Sequence, residues 1–395
     1  MEAPGDGALA GVTVVSVEQA VAAPLATRHL ADLGARVIKV ERPGRGDFAR
    51  DYDTTVNGLS SHFVWLNRGK ESLVLDLKEE GDRAVLAKLI ARCDVFVQNL
   101  APLATRKLGL DAGTVHAEHP SVIACSVSGY GLDGPYRDKK AYDLLIQSEG
   151  GLVSITGTPE APAKAGISIA DIAAGMYAFS GILAALYERE RSGEGAALEV
   201  SLFDALAEWM GYPAYFTRYG GSQPVRAGAS HAAIAPYGPF AAADGKDIVI
   251  AVQDEREWAA FCETVLQAPE LAGDARFATN RDRVERRSEL DAVVSERFAS
   301  APGEELLRRL DEANIASARE RSIKEFLEHP QLVERDRWRS IGSPAGEIEA
   351  LLPPVDWHGR APVMGDVPEL DAHGDAIRGE LERGDHGGPN GGGTR

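Results

Sequence analysis

The sequence is poor in cysteine. Cys93, Cys125 and Cys262 are odd in number and far apart, with no CxxC and no Cys/His spacing of a metal site. Cys93 and Cys125 lie in or beside apolar runs, as buried, inert thiols do, and a reducing, cytoplasmic compartment is expected. Positive charge is also scarce: 42 Lys and Arg stand against 60 Asp and Glu, a formal charge of −18. Nucleic acid and anionic membrane surfaces call for basic patches, so neither is an expected partner. No basic-then-apolar leader is read at the N-terminus, and no apolar run is read as reaching the roughly 20 residues of a membrane span. A glycine-rich phosphate loop is missing too. Gln19-Ala-Val-Ala-Ala-Pro24 stands where Gly-x-Gly-x-x-Gly would follow the first strand, which argues against a standard dinucleotide site.

What is present is β-α alternation. Val12–Val17, Ala35–Val40, Leu73–Leu77, Asp94–Gln98 and Val122–Val127 are short strand-like segments. Leu25 to Leu33 and Glu79 to Ala91 have helical spacing. The alternation predicts an α/β fold, a parallel sheet covered by helices, with ligands at the carboxyl ends of the strands. An Ala-rich helix is expected from Asp171 to Arg191. Gly175 and Gly181 inside it imply close packing against another backbone. Ala197–Leu202 reads as a strand and Gly220-Gly-Ser-Gln-Pro224 as a linker. The expected division is a large domain whose N-terminal part is 1–224, a smaller α+β domain at 225–325, a return to the large domain at 326–380, and a disordered tail at 381–395.

Gly166-Ile-Ser-Ile-Ala-Asp171-Ile-Ala-Ala-Gly175 sets one carboxylate among apolar and small residues, with no basic residue within several positions. Two readings stand. Asp171 caps the helix by accepting from a backbone amide, or it does chemistry. They are compatible, since a helix N-terminus also favours an ionised, nucleophilic carboxylate.

Several segments in order resemble the class III CoA-transferase family. They are LADLGARVIKVERPGRGD (Leu30 to Asp47), LNRGKESLVLDLK (Leu66 to Lys78), SVSGYGLDGPY (Ser126 to Tyr136) with the Asp171 segment, APYGPF (Ala235 to Phe240) and RFATNRDRVERRSEL (Arg276 to Leu290). The resemblance implies an interlocked homodimer. Each subunit would have a Rossmann-like large domain, its parallel sheet formed by both chain ends, and a small α+β domain. It implies Asp171 as the catalytic carboxylate, passing an acyl group through enzyme-bound anhydrides. An acyl-CoA and a small carboxylic acid are then the substrates, with no tightly bound cofactor and no metal. Backbone amides near Ala22 and Ala23, or in the Gly-rich part of the small domain, are oxyanion candidates.

By the same resemblance Arg42, Lys107 and Lys140 match CoA-contacting positions, with Arg106 and Arg45 as neighbours able to substitute; surface charge is the alternative for each. Arg68 and Lys70 are read as candidates for fixing local structure, and Lys39 as a strand residue at the sheet surface. Val21 stands where the oxalate enzymes of the family carry Gln, with Gln19 two residues earlier, and no glycine run precedes Ile248. Both departures argue against oxalate as acceptor. Tyr142, a further candidate for the CoA site with half-buried packing as the alternative, replaces the His of the related racemases. With an ordinary pKa of about 10, a Tyr is a poor two-way proton carrier, which favours a transferase over an α-methylacyl-CoA racemase. Arg226, His231 and Arg319 are candidates for a substrate carboxylate, with a structural His231 as the alternative. The family members most resembled act on C4 and C5 dicarboxylates such as itaconate, mesaconate, citramalate and succinate. A non-catalytic CoA-binding protein is the remaining reading, and the context of Asp171 speaks against it.

Overall fold

Six short apolar strands assemble into one parallel sheet: β1 (Thr13–Val17), β2 (Arg36–Glu41), β3 (Lys70–Val74), β4 (Val95–Gln98), β5 (Ile123–Ser128) and β6 (Ala197–Ser201), in the order β3-β2-β1-β4-β5-β6. The inner strands are buried along almost their whole length, as befits a sheet covered on both faces. The computed structural model describes residues 7–384; residues 385–395 of the expected tail lie outside them. The order reverses between β1 and β4, so the loops after these strands flank the switch point where α/β sheets bind ligands.

Among the described residues all six strands lie between Thr13 and Ser201 and none comes from the returning C-terminal segment, so the expectation of a parallel sheet formed by both chain ends is corrected. The returning chain gives an antiparallel pair, β10 (Trp338–Ile341) and β11 (Ile348–Leu351), and the helix Gly374–Arg383. Most of that helix lies in the segment expected to return to the large domain, and its last three residues, 381–383, occupy positions expected to belong to the disordered tail. It is tied to the sheet by Arg36, which bridges Glu71 and Glu380 at 2.8 Å each. β3 begins three residues before the expected Leu73, because the Lys70 side chain is buried and paired. Lys39 is fully buried, not at the sheet surface. Arg68 does fix local structure, through a two-pronged pair with Asp32 at 2.9 Å per contact.

The long helix Ile169–Ser192 is apolar and long enough, by composition alone, to cross a membrane, contrary to the sequence reading. Its apolar residues instead meet the helices Ala22–Asp32 and Leu202–Trp209 and the strands β5 and β6. Gly175 is the close approach expected: a Cβ there would lie 2.6 Å from the Ala22 carbonyl oxygen. Gly181 is not, since its nearest neighbour is the Leu198 side chain at 3.7 Å.

Two units divide the chain. The first holds the described residues up to Gly151, then Ala165–Tyr212 and those from Glu334 on; the second holds Leu152–Lys164 and Pro213–Val333. The expected boundaries at 224/225 and 325/326 both fall inside the second unit. The segment Leu152–Lys164 joins it because Arg226 binds the carbonyls of Ser154, Thr158 and Pro159. This unit has an antiparallel sheet of β7 (Tyr237–Ala241), β8 (Asp247–Ala251) and β9 (Ala316–Arg319) over a core containing Trp258, Phe261, Phe277 and Phe298.

Candidate active site

Asp171 is the third residue of its helix, whose cap, Ser168, makes no side-chain hydrogen bond. The capping reading of Asp171 is therefore replaced by another arrangement. Asp143 reaches over from 27 residues earlier and accepts from the Ala170 N–H at 2.9 Å, the bond an N-cap side chain would make. Gln147 holds the other Asp143 oxygen at 2.7 Å and accepts from the Ala165 N–H at 2.9 Å. With its helix capped from elsewhere, Asp171 is left for other partners.

It faces the start of the helix Ala22–Asp32. That helix has no side-chain cap: Val21 precedes it without a side-chain acceptor, and Pro24 has no N–H. The Ala22 N–H donates to the Asp171 carboxylate. One partly exposed carboxylate thus lies at the N-termini of two helices, both of which favour negative charge. Opposing this, burial raises its pKa to about 7, the Asp143 charge adds to the rise, and the Ala22 N–H lowers it. Among the described residues no cation pairs with Asp171. A carboxylate poised near neutrality and held by a backbone amide is a nucleophile able to ionise at physiological pH. Tyr52, which the sequence reading missed, stands near it. Burial and the charges of Asp47 and Asp171 push its phenol up to about 12.

A second feature lies at the carboxyl ends of β1, β2 and β3. A cleft of about 220 Å³ is lined by Gln19, Val40, Arg42, Leu75, Lys78 and Leu100, among others. Arg42 is exposed and its Nε donates to the Gly46 carbonyl at 2.8 Å, leaving its other two nitrogens without a protein partner among the described residues. Lys78 was not singled out by the sequence. The same lining carries Glu18, Glu41, Asp47 and Asp76; the first three are paired with Lys70, Arg50 and Lys39, which leaves Arg42 and Lys78 as the cations a phosphate-bearing ligand would meet.

Comparison with known proteins gives the setting for this geometry. The model of CoA-transferase family III matches residues 9–374. The chain belongs to that family. It is 34% identical over 380 residues to the acetyl-CoA:oxalate CoA-transferase of Acetobacter aceti, with 95% of this chain and 96% of that one covered. It is 33% identical over 350 residues to the succinyl-CoA:glutarate CoA-transferase of Mus musculus, with 88% and 80% covered. A solved CAIB/BAIF family protein from Brucella suis superposes with a TM-score of 0.83 at 33% identity, over 95% of this chain and all of that one.

In this class III CoA-transferase the remaining candidates fare differently. Lys107 and Lys140 are exposed and, among the described residues, unpaired. Arg106 is paired with Asp138 and Arg45 with Asp51, so neither is a free substitute. Tyr142 is 65% exposed and precedes the helix that carries Asp143. Gln19 lines the cleft, and its backbone is pinned both ways by Asn99, at 2.9 and 2.8 Å. The Val21 side chain is not open to a substrate: it is buried with Leu25, Leu66 and Ile172.

Arg226 and His231 belong to the second unit. All three guanidinium nitrogens of Arg226 are engaged by carbonyls at 2.8 to 3.3 Å, which removes it as a free carboxylate clamp. Arg319 is likewise paired, with Glu304. His231 stacks on Tyr237 at 5.2 Å and its Nδ1 accepts from the Ala233 N–H at 3.1 Å, a structural setting that leaves only Nε2. The three cysteines are buried, and burial pushes each thiol up to about 12, in keeping with inert side chains.

Proposed function

We propose that the enzyme moves CoA from an acyl-CoA donor, succinyl-CoA, to a small dicarboxylic acid of the itaconate, mesaconate or citramalate class, with Asp171 as the nucleophile. The observation that carries this reading is the Asp171 carboxylate itself, paired with no cation among the described residues and accepting from the Ala22 N–H at the start of a second helix. Asp171 attacks the thioester carbonyl; the C–S bond breaks and CoA leaves as thiolate. The thiolate then attacks the aspartyl carbonyl of the mixed anhydride. The donor acid departs as carboxylate and an aspartyl-CoA thioester remains. The acceptor carboxylate attacks that thioester and expels the thiolate once more. Attack of the thiolate on the acceptor's own carbonyl releases the new CoA ester and restores Asp171. Each step exchanges one activated acyl group for another, so no step needs a redox or metal partner.

In this reading the amides of Ala22 and Ala23 receive the oxyanion of the tetrahedral species, a role supported by the Ala22 N–H donating to the Asp171 carboxylate. Arg42 and Lys78, with Lys107 and Lys140, supply cations for the phosphates of CoA. The relatives' names span a two-carbon and a five-carbon diacid. Val21 at the Gln position and the missing glycine run favour the longer acid. The active species is taken to be an interlocked homodimer, which light scattering would test by mass.

The deciding experiment is mass spectrometry of CoA esters after incubation with succinyl-CoA and a panel of itaconate, mesaconate, citramalate, glutarate and oxalate. Trapping with hydroxylamine and peptide mapping follow. A new C5 ester with a modified Asp171 peptide is expected. An oxalyl ester alone would overturn the acceptor class, and transfer with no modified Asp171 would overturn the mechanism.

A further inference from the structure

The loop that delivers the Ala22 amide to Asp171 is in an unfavourable conformation. Ala20 has φ +63, the left-handed region that non-glycine residues rarely adopt. Such a residue persists only where its surroundings over-determine it. Here they do. The Ala20 N–H donates to Asp47 Oδ1 at 3.0 Å, and the Gln19 backbone is clamped by Asn99 on both sides.

Asp47 is itself held from below. It is buried, and its Oδ2 accepts from Lys39 Nζ at 2.7 Å. Lys39 lies 3.6 Å from Glu18, which also accepts from Lys70 Nζ at 2.7 Å and from the Thr27 hydroxyl. Lys70 closes the circuit by donating to the Pro24 carbonyl at 2.9 Å, in the first turn of the Ala22–Asp32 helix. The network therefore grips the loop at two points, Ala20 and Pro24, and the Ala22 amide lies between them. Burying four charges is a costly way to build a stable core. It is an effective way to fix the direction of a backbone amide.

We propose that Asp47, locked by Lys39, is a positioning residue for acyl transfer: it holds the left-handed turn at Ala20 and so aims the Ala22 and Ala23 amides at Asp171 and its oxyanion. This rests on Asp171 as the nucleophile. The aimed amide lowers the nucleophile's proton affinity and receives charge as the tetrahedral species forms. Asp47 acts through the backbone: where it borders the cleft, its oxygens are occupied by the Ala20 and Ala49 N–H groups and by Lys39 Nζ.

The test uses the full-length enzyme and follows kcat, KM for succinyl-CoA, the pH profile of kcat/KM, and thermal melting. Asp47→Ala removes the acceptor. Ala20→Val leaves every charge in place and attacks the turn directly, so it serves if Asp47→Ala fails to fold. Both are expected to lower kcat by about 10- to 100-fold with KM within about threefold, and to move the acid limb of the pH profile upward. Adding Ala20→Gly to Asp47→Ala should recover part of kcat, since glycine holds the turn unaided. Lost stability alone would move neither the acid limb nor that recovery. A folded Ala20→Val enzyme with wild-type kcat and acid limb would overturn the proposal. So would an Asp47→Ala enzyme whose acid limb stays in place and which Ala20→Gly does not rescue. An Asp171→Asn enzyme of full activity would instead overturn the nucleophile, a separate outcome.

Discussion

Two aspartates at the same end of the sheet have opposite surroundings. Asp47 is buried, meets an ammonium at 2.7 Å and accepts from the amides of Ala20 and Ala49 at 3.0 and 2.9 Å. Among the described residues Asp171 has no cation partner and one amide donor, and a second carboxylate, Asp143, adds to the rise in its pKa. A carboxylate whose charge is balanced and whose lone pairs are occupied has little to offer a thioester. One that is desolvated and under-compensated gains by forming a covalent bond that removes its charge. The residue type is the same; the partners decide which one holds the fold and which one reacts.

The largest expected effect breaks the reactive member. Asp171→Asn should lower transfer activity by about a thousandfold or more, measured as succinyl-CoA turnover, while CoA binding persists. Next comes the paired member. Lys39→Met leaves Asp47 and Glu18 short of a buried cation and should cost about 3–5 kcal/mol of stability by urea unfolding. Activity loss in that variant without destabilisation would mean that the network does not hold the fold.

A third prediction uses pH. The folded pKa of Asp171, about 7, lies above the ordinary value of 3.8. Between these limits the folded protein holds a proton that the unfolded chain has released. Stability from this group is therefore present at low pH and lost as pH rises toward 7. Asp171→Asn removes the loss, so at pH 8 it should be more stable than the parent by about 1–2 kcal/mol, below the roughly 4 kcal/mol of the full shift because the carboxylate is partly exposed to water. The difference should shrink as pH falls below 7 and vanish near 4. A constant difference across that range would mean that the folded carboxylate titrates in the ordinary range.

The contrast between the two aspartates was only half legible in the sequence. Asp171 stood out because its neighbours in the chain are apolar or small, and that local absence survives folding. Its relief from capping did not show, because the acceptor comes from Asp143, 27 residues away. The sheet was readable from β-branched runs, but β3 was placed late because Lys70 and Glu71 interrupt the apolar pattern. Lys39, between Ile38 and Val40, looked like a surface residue. Its burial depends on Asp47 and Glu18, which reach it from other segments. Arg226 offered a free cation by residue type alone. Its capture by three carbonyls depends on a turn about seventy residues earlier in the chain, and no local pattern encodes that.

The smallest expected effect tests the contact that joins the two aspartates' neighbourhoods. Gly175 lies one turn beyond Asp171, and an added Cβ would meet the Ala22 carbonyl oxygen at 2.6 Å and Leu25 at 3.2 Å. A backbone atom cannot yield as a flexible side chain can, so Gly175→Ala must push the two helices apart. Overpacking of this kind costs about 1–3 kcal/mol, offset by about 1 kcal/mol of helix propensity. The net loss should be about 1 kcal/mol by urea unfolding. The same displacement draws the Ala22 amide away from Asp171. The acid limb of the pH profile should then move upward, as in Ala20→Val, with kcat down by about threefold to tenfold. Both variants would then disturb one amide from opposite sides, one through its loop and one through the facing helix. A Gly175→Ala enzyme that loses stability but keeps its acid limb would separate helix packing from the tuning of the nucleophile.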